Sequence, residues 1–311
     1  MPVTRPVALR PHACPTCEGR SYVLAREGDR AVARICACAK SCAVCGGRGH
    51  VYVKQQEEFS RKMGKKEYDV LAPCSCRLLE RRLERFGDAG IPGVLALAGF
   101  HTFRAFNEAQ DAARRMAMAF AQSYVRGQGA KGFILGGPVG TGKSHLLISA
   151  LTHLALEVGV GVRYVEISLL YATIRRGFQD GKSGGEIIGP LSEVEVLAID
   201  ELGKGRGSPF ELETLDELIA RRYNAGRTTL FGTNYSLDPE RRGGLKGAKG
   251  YVDSEELERS AKDSKLLRDR VGERIYSRLC EMCQFVQLPP DTPDQRRMRQ
   301  ELRTGQPRSA L

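Results

Sequence analysis

Between residues 136 and 145 the chain reads Gly136-Gly137-Pro138-Val139-Gly140-Thr141-Gly142-Lys143-Ser144-His145. A glycine, four residues, then Gly-Lys-Ser is a spacing with one well-understood chemical use, the cradling of nucleotide phosphates. The glycines let successive backbone N–H groups converge on phosphate oxygens, and a helix beginning at the lysine adds the field of its N-terminus. The Lys143 ammonium can then bridge the terminal phosphates while the Ser144 hydroxyl holds Mg2+. An apolar run, Phe133-Ile134-Leu135, precedes the loop, and Leu146-Leu147-Ile148 follows it, which is the strand–loop–helix context this chemistry needs. Gly137, Pro138, Val139, Gly140, Thr141, Gly142, Lys143, Ser144 and His145 are therefore the expected contacts for ATP.

A second run, Val-Leu-Ala-Ile, ends in Asp200-Glu201. Two acids at the carboxyl end of an apolar strand lie where open α/β sheets bind ligands. Asp200 is expected to complete the Mg2+ shell and Glu201 to polarise the attacking water. Asn234 follows the run Thr228–Thr233 at the same sheet edge, where its neutral amide can orient that water or meet the γ-phosphate.

Eight of the ten cysteines lie between Cys14 and Cys76, in a repeat. Cys14-Pro-Thr-Cys17-Glu-Gly19 aligns with Cys42-Ala-Val-Cys45-Gly-Gly47, and each copy runs on to a Cys-x-Cys, Cys36/Cys38 or Cys74/Cys76. Two short chelating pairs joined by a hairpin make a closed tetrahedral S4 site, the structural form of Zn2+ binding. The expected ligands are Cys14, Cys17, Cys36 and Cys38 in one site and Cys42, Cys45, Cys74 and Cys76 in the other. Spacing alone also fits pairs interleaved between the copies. Cys280 and Cys283 share the Cys-x-x-Cys spacing but have no second pair, and read as small core residues.

These groups must be positioned by regular elements. Leu78, Leu79, Leu83 and Phe86 recur at helical spacing, and glycines and Pro92 end that helix. Beyond it, helices near 107–126, 143–157, 168–178 and 210–224 alternate with apolar strands near 132–135, 162–166, 194–199 and 228–233. That alternation predicts an α/β fold, a parallel sheet covered by helices on both faces. The expected domains are a duplicated four-cysteine module at 1–76, small and zinc-ribbon-like, and a linker helix and junction at 77–93. A P-loop domain at 94–290 follows, with an inserted polar segment at 238–268, and a C-terminal tail at 291–311.

The composition of the 311 residues is that of a globular protein, 41% hydrophobic and 27% charged. No run approaches eighteen apolar residues and the N-terminus lacks a signal-peptide core, so a cytoplasmic protein without a membrane span is expected. The net charge of +11 fits a polyanionic partner without identifying one.

Residues from about 91 to 290 resemble the DnaC/DnaI-type helicase loaders and the related IstB-type transposition ATPases, a clade of AAA+ proteins. The matching pieces are Ile91-Pro92, Phe100 to Phe106, the P-loop to Leu146, Ala198 to Gly203, Ile219 to Tyr223, Thr233-Asn234, and Glu273-Arg274-Ile-Tyr-Ser-Arg278-Leu279. The resemblance implies ATP hydrolysis by a homo-oligomer, with Arg274 as an arginine finger reaching a neighbour's γ-phosphate and Arg278 as the alternative. It implies an N-terminal module gripping a hexameric replicative helicase and an AAA+ domain engaging DNA, single-stranded in loaders, with Arg175 and Arg176 on a DNA-facing helix. The IstB side of the clade implies instead a transposase partner on duplex DNA. A third reading is a zinc-based interaction module with a slow nucleotide switch. Too few residues follow Leu279 for a separate helical lid, and Arg296 and Arg297 are the candidates for a second sensor. The Cys-x-x-Cys-x-Gly pattern is similar to the DnaJ-type zinc module, a likeness of zinc chemistry.

Overall fold

The computed structural model describes residues 14–58, 65–237 and 264–304. Strands β1 (Tyr22–Glu27) and β2 (Arg30–Ile35) form an antiparallel hairpin. Its turn places Gly28 at φ +59°, a left-handed conformation that glycine adopts without the Cβ penalty. The second copy pairs β3 (His50–Glu58) with β4 (Lys65–Pro73) in the same way, and α1 (Ser75–Gly87) follows.

The P-loop domain begins with α2 (Glu108–Ser123), capped by Asn107, whose side chain accepts from the Gln110 amide at 2.9 Å. The succession is then β5 (Gly132–Gly136), α3 (Lys143–His153), β6 (Val162–Glu166), α4 (Ile167–Gln179), α5 (Gly184–Glu193), β7 (Val196–Asp200), α6 (Pro209–Asn224) and β8 (Thr228–Thr233). After the segment outside the described residues come α7 (Leu267–Val271), α8 (Glu273–Met282), β9 (Cys283–Gln287) and α9 (Gln295–Thr304). The five strands β5 to β9 form one parallel sheet in the order β6-β7-β8-β5-β9. Every residue of β5, β7 and β8 is buried, as a parallel sheet covered on both faces requires. Alternate residues serve the two faces. Phe133, Leu135, Ala198 and Leu230 pack under α2 and α3, while Ile134, Leu197, Ile199 and Phe231 pack under α4, α5, α6 and α8.

Beyond the periodic elements the structure adds α5, α7, α8, β9 and α9. Strand β9 is the short Cys-Gln-Phe-Val-Gln at the edge beside β5, too brief and polar to stand out. Cys283 is buried there, but Cys280 is exposed, so only one of that pair is a core residue. Of the polar segment 238–268, residues 238–263 lie outside the described residues. The remainder returns to the core: the Ser236 amide donates to the Lys265 carbonyl (2.8 Å) and the Leu267 amide to the Ser236 carbonyl (2.9 Å).

The first cysteine hairpin shares the core of the P-loop domain. Tyr22 and Ala31 are buried in one cluster with Leu83, Phe86 and Leu154. The Ala31 amide donates to Ile91, the Tyr22 hydroxyl to Glu157 (2.7 Å), and Arg82 to the carbonyls of Leu156 and Glu157. The β3–β4 hairpin instead leaves Tyr52, Val53, Tyr68 and Leu71 exposed.

Arg222 is fully buried, an unusual place for a guanidinium. It donates to the carbonyls of Leu191 (2.7 Å), Val194 (2.8 Å) and Thr228 (2.5 Å) and to the Thr229 hydroxyl (2.9 Å), tying the end of α5 to the start of β8. Burial lowers its pKa to about 9, so it stays protonated at neutral pH. Arg222→Ala should lower unfolding free energy by about 3–5 kcal/mol, because it strands several buried acceptors. Urea unfolding checks this; an unchanged midpoint would refute it.

Candidate functional site

The carboxyl ends of β5, β7 and β8 bring the predicted phosphate and metal residues together. Gly136 pairs with Thr233, and the Gly137 amide donates to the Thr233 carbonyl at 3.2 Å, so the loop springs from beside the end of β8. Gly137, Gly140 and Gly142 have φ of +144°, +82° and +98°, which only glycine adopts cheaply. Helix α3 starts at Lys143. The Lys143 side chain is buried, and its ammonium donates to the carbonyls of Gly137 (2.8 Å) and Pro138 (2.7 Å), folded onto its own loop. Burial lowers its pKa to about 8, with Asp200 opposing the shift. An anion in the loop would restore full protonation. Ser144 is half-buried in the first turn of α3.

Asp200 ends β7 and is almost wholly buried. Its Oδ2 accepts from the Tyr164 hydroxyl on β6 at 2.8 Å, and its Oδ1 from the Glu201 amide at 2.9 Å. Burial pushes the Tyr164 pKa up, so the phenol remains a neutral donor. Gly232 underlies this carboxylate: a Cβ there would fall 2.3 Å from Asp200 Oδ1. Neither Tyr164 nor Gly232 carries a local sequence signal; both are visible only across the sheet.

Glu201 sits at φ +56°, a strained conformation for a non-glycine residue. Burial, then hydrogen bonding with Glu166, holds its carboxyl above the ordinary range. It is ion-paired with Lys204, whose ammonium also lies 3.7 Å from Glu166 Oε1. Asn234 is exposed immediately after β8. His145 turns away from the loop: its Nε2 meets the Gly99 carbonyl (3.0 Å) and the Thr102 hydroxyl (3.2 Å). Arg274 stands apart on α8, its side chain 74% exposed and 3.6 Å from Asp216. Arg278 is held more tightly by the same carboxylate at 2.5 Å and is mostly buried.

The residues read as a C-terminal tail pack on the P-loop. The Gln295 amide donates to the Gly140 carbonyl (2.9 Å), and its Nε2 to the Arg104 carbonyl (2.9 Å). Buried Gln110 bridges the carbonyls of Thr141 (3.3 Å) and Pro293 (2.9 Å). Asp294 lies against Gly140, so no side chain fits there. Its carboxylate also accepts from the Arg296 and Arg297 amides at the start of α9. The two arginine side chains are exposed, and the Arg296 charge is felt at Lys143. The readable signal was Asp294, a capping residue ahead of a helix.

The eight predicted cysteines form two sets, paired within each copy: Cys14, Cys17, Cys36 and Cys38, and Cys42, Cys45, Cys74 and Cys76. Sulfur separations are 3.9 Å for Cys14–Cys36, 3.5 Å for Cys17–Cys38, 3.6 Å for Cys42–Cys74 and 3.5 Å for Cys45–Cys76. Tetrahedral Zn2+ with bonds of about 2.3 Å needs sulfurs about 3.8 Å apart, so both sets fit it. Backbone amides pull one thiol in each set down to about 6, Cys14 through Cys17 and Cys45 through Gly49.

Residues 89–239 match the family described as IstB-like ATP binding protein. The uncharacterized protein YdaV of Escherichia coli K12 is 27% identical over 187 residues, 60% of this chain and 73% of YdaV. The replicative helicase loader DnaC of the same organism is 27% identical over 154 residues, 49% of this chain and 62% of DnaC. A crystal structure of the DnaC helicase loader superposes with a TM-score of 0.51 at 24% identity, covering 63% of this chain and 99% of that one. The P-loop domain therefore has the same fold as that structure. Among the described residues no helix is long and apolar enough to cross a membrane.

Proposed function

We propose that this chain, whose residues 89–239 are an IstB-like ATP-binding domain homologous to the DnaC loaders, is an ATP-hydrolysing oligomer that loads a hexameric replicative helicase onto DNA. The observation that carries the reading is the meeting of Lys143, Asp200, Glu201 and the end of β8 at one sheet edge. Lys143 leaves the loop carbonyls to neutralise the β- and γ-phosphates, while Ser144 and Asp200 hold Mg2+. Tyr164 and the Glu201 amide fix the Asp200 carboxylate in place. Glu201 takes the proton of the attacking water, and Asn234 orients that water. The two cysteine sets hold structural Zn2+ in the N-terminal module, which binds the helicase, and the cytoplasm is the site of action.

The exposed Arg274 fits a finger that completes a neighbour's site, with Arg278 and Asp216 supporting it. Arg274→Ala should bind ATP normally and hydrolyse it about a thousandfold more slowly. Mixed with Glu201→Gln chains it should regain activity, since one interface then combines an intact Glu201 with an intact Arg274. No recovery despite verified co-assembly would make Arg274 a structural ion-pair partner.

The helicase assignment is tested with the full-length chain, because Tyr22 and Phe86 of the N-terminal part are buried in the shared core. Co-purification of the hexameric helicase with the ATP-bound chain is expected. The IstB side of the resemblance implies one alternative, a transposase partner on duplex DNA. Capture of a transposase with no helicase would establish it.

A further inference from the structure

The glycine-rich loop is held by two buried glutamines that lie far from it in the chain. The Gln295 amide donates to the Gly140 carbonyl (2.9 Å), and Gln110 Nε2 on α2 donates to the Thr141 carbonyl (3.3 Å). The same Nε2 donates to the Pro293 carbonyl (2.9 Å), and Gln110 Oε1 accepts from the Phe106 amide (2.8 Å). Gln110 is fully buried, and both donors of its side chain are engaged. Gln295 Nε2 donates in turn to the Arg104 carbonyl (2.9 Å). Three segments, 104–106, 140–141 and 293–295, are thereby tied into one unit.

These contacts set directions as well as positions. In a planar trans peptide the carbonyl and the following N–H point opposite ways. None of the described peptides is cis. With the Gly140 carbonyl held toward the C-terminal segment, the Thr141 N–H must point away from it. With the Thr141 carbonyl held toward Gln110, the Gly142 N–H is turned in the same manner. Thr141 is buried, yet among the described residues neither of these two amides donates to a protein acceptor. Buried N–H groups require a partner, and successive amides turned to one side make a concavity for an anion.

Resting on the ATP-binding reading above and deepening it, we propose that Gln110 and Gln295 are positioning residues for the polyphosphate. They act through the loop backbone, setting the Thr141 and Gly142 amides to donate to phosphate oxygens. The segment 293–295 is then a working part of the nucleotide site, and α2 is its anchor. Donors fixed in advance spare the ligand the entropy of ordering a glycine-rich loop, and the gain is in affinity.

Fluorescent-nucleotide titration of the full-length chain, with ATP and inorganic tripolyphosphate as competitors, tests this. Gln110→Met keeps the length of the side chain and removes both donors. Both competitors should then bind about tenfold more weakly. In steady-state hydrolysis KM should rise about tenfold while kcat falls less than about threefold, whereas damage to the fold alone lowers the active fraction and kcat. Gln295 is the first residue of α9, a position that tolerates proline. Gln295→Pro removes the N–H that holds Gly140, and Gln295→Ala keeps it. Gln295→Pro should bind tripolyphosphate about tenfold more weakly than Gln295→Ala.

Unchanged tripolyphosphate affinity in Gln110→Met overturns the role given to Gln110. Equal affinities for Gln295→Pro and Gln295→Ala overturn that of Gln295. Weaker ATP binding with tripolyphosphate unaffected overturns both, because the contacts to Phe106 and Arg104 would then act on the nucleoside. If circular dichroism shows Gln295→Pro unfolded, Gln110→Met decides alone. A wild type that binds neither ATP nor tripolyphosphate overturns the nucleotide reading, and the positioning role with it.

Discussion

Glu201→Gln is expected to bind ATP within about threefold of wild type while its kcat falls about 10^2- to 10^4-fold, the usual range for loss of a general base. Glutamine keeps the size and polarity of the side chain but cannot accept the proton. Its backbone role is untouched, since it is the residue 201 amide that donates to Asp200 Oδ1. Lys143→Ala should behave in the opposite way. Its ammonium, held by the Gly137 and Pro138 carbonyls, lies on the glycine-rich loop itself. Losing two charge-assisted contacts to phosphate should weaken ATP binding about a hundredfold or more. Fluorescent-nucleotide titration and single-turnover hydrolysis separate the two effects. Equal loss of affinity in both variants would contradict this division of labour.

Metal analysis should find two Zn2+ per chain under reducing conditions, and removing either site should have different consequences. Cys17→Ser abolishes a site whose hairpin carries Tyr22 and Ala31 into the core of the P-loop domain. Losing that packing should cost the whole domain about 3 kcal/mol and lower its Tm by about 10 °C. Cys45→Ser should remove the other Zn2+ and disorder the β3–β4 hairpin, because much of a small metal module's folding energy comes from its metal. The hairpin's Tyr52 and Leu71 are already exposed, so the Tm of the P-loop domain should stay close to wild type. Zinc content near one in the wild type, or equal Tm losses in the two variants, would count against the two-site arrangement.

The site was legible in unequal parts. The P-loop was readable because every residue it needs lies within nine consecutive positions, where glycine placement and the adjoining apolar runs carry the information. Asp200 and Glu201 were readable because they end a strand that is apolar throughout. His145 was grouped with the loop by adjacency alone, and the fold turns its ring to Gly99 and Thr102. The residues now seen to hold the site in shape, Tyr164, Gly232, Gln110 and Gln295, look ordinary in their own segments. Their roles arise from neighbours in space that lie far away in the chain.

By itself the sequence determined the element types, since burial on one helix face or both sheet faces imposes a period that composition displays locally. It also singled out the eight clustered cysteines and the glycine-rich loop, because chelation and phosphate cradling both demand short spacings. Only the tertiary structure decided that each cysteine copy closes on itself, and that the strands order as β6-β7-β8-β5-β9. It alone placed Asp294 and Gln295 against Gly140, and Lys204 between Glu166 and Glu201. These contacts join segments whose meeting depends on how whole layers pack, and no periodicity within a single segment records that.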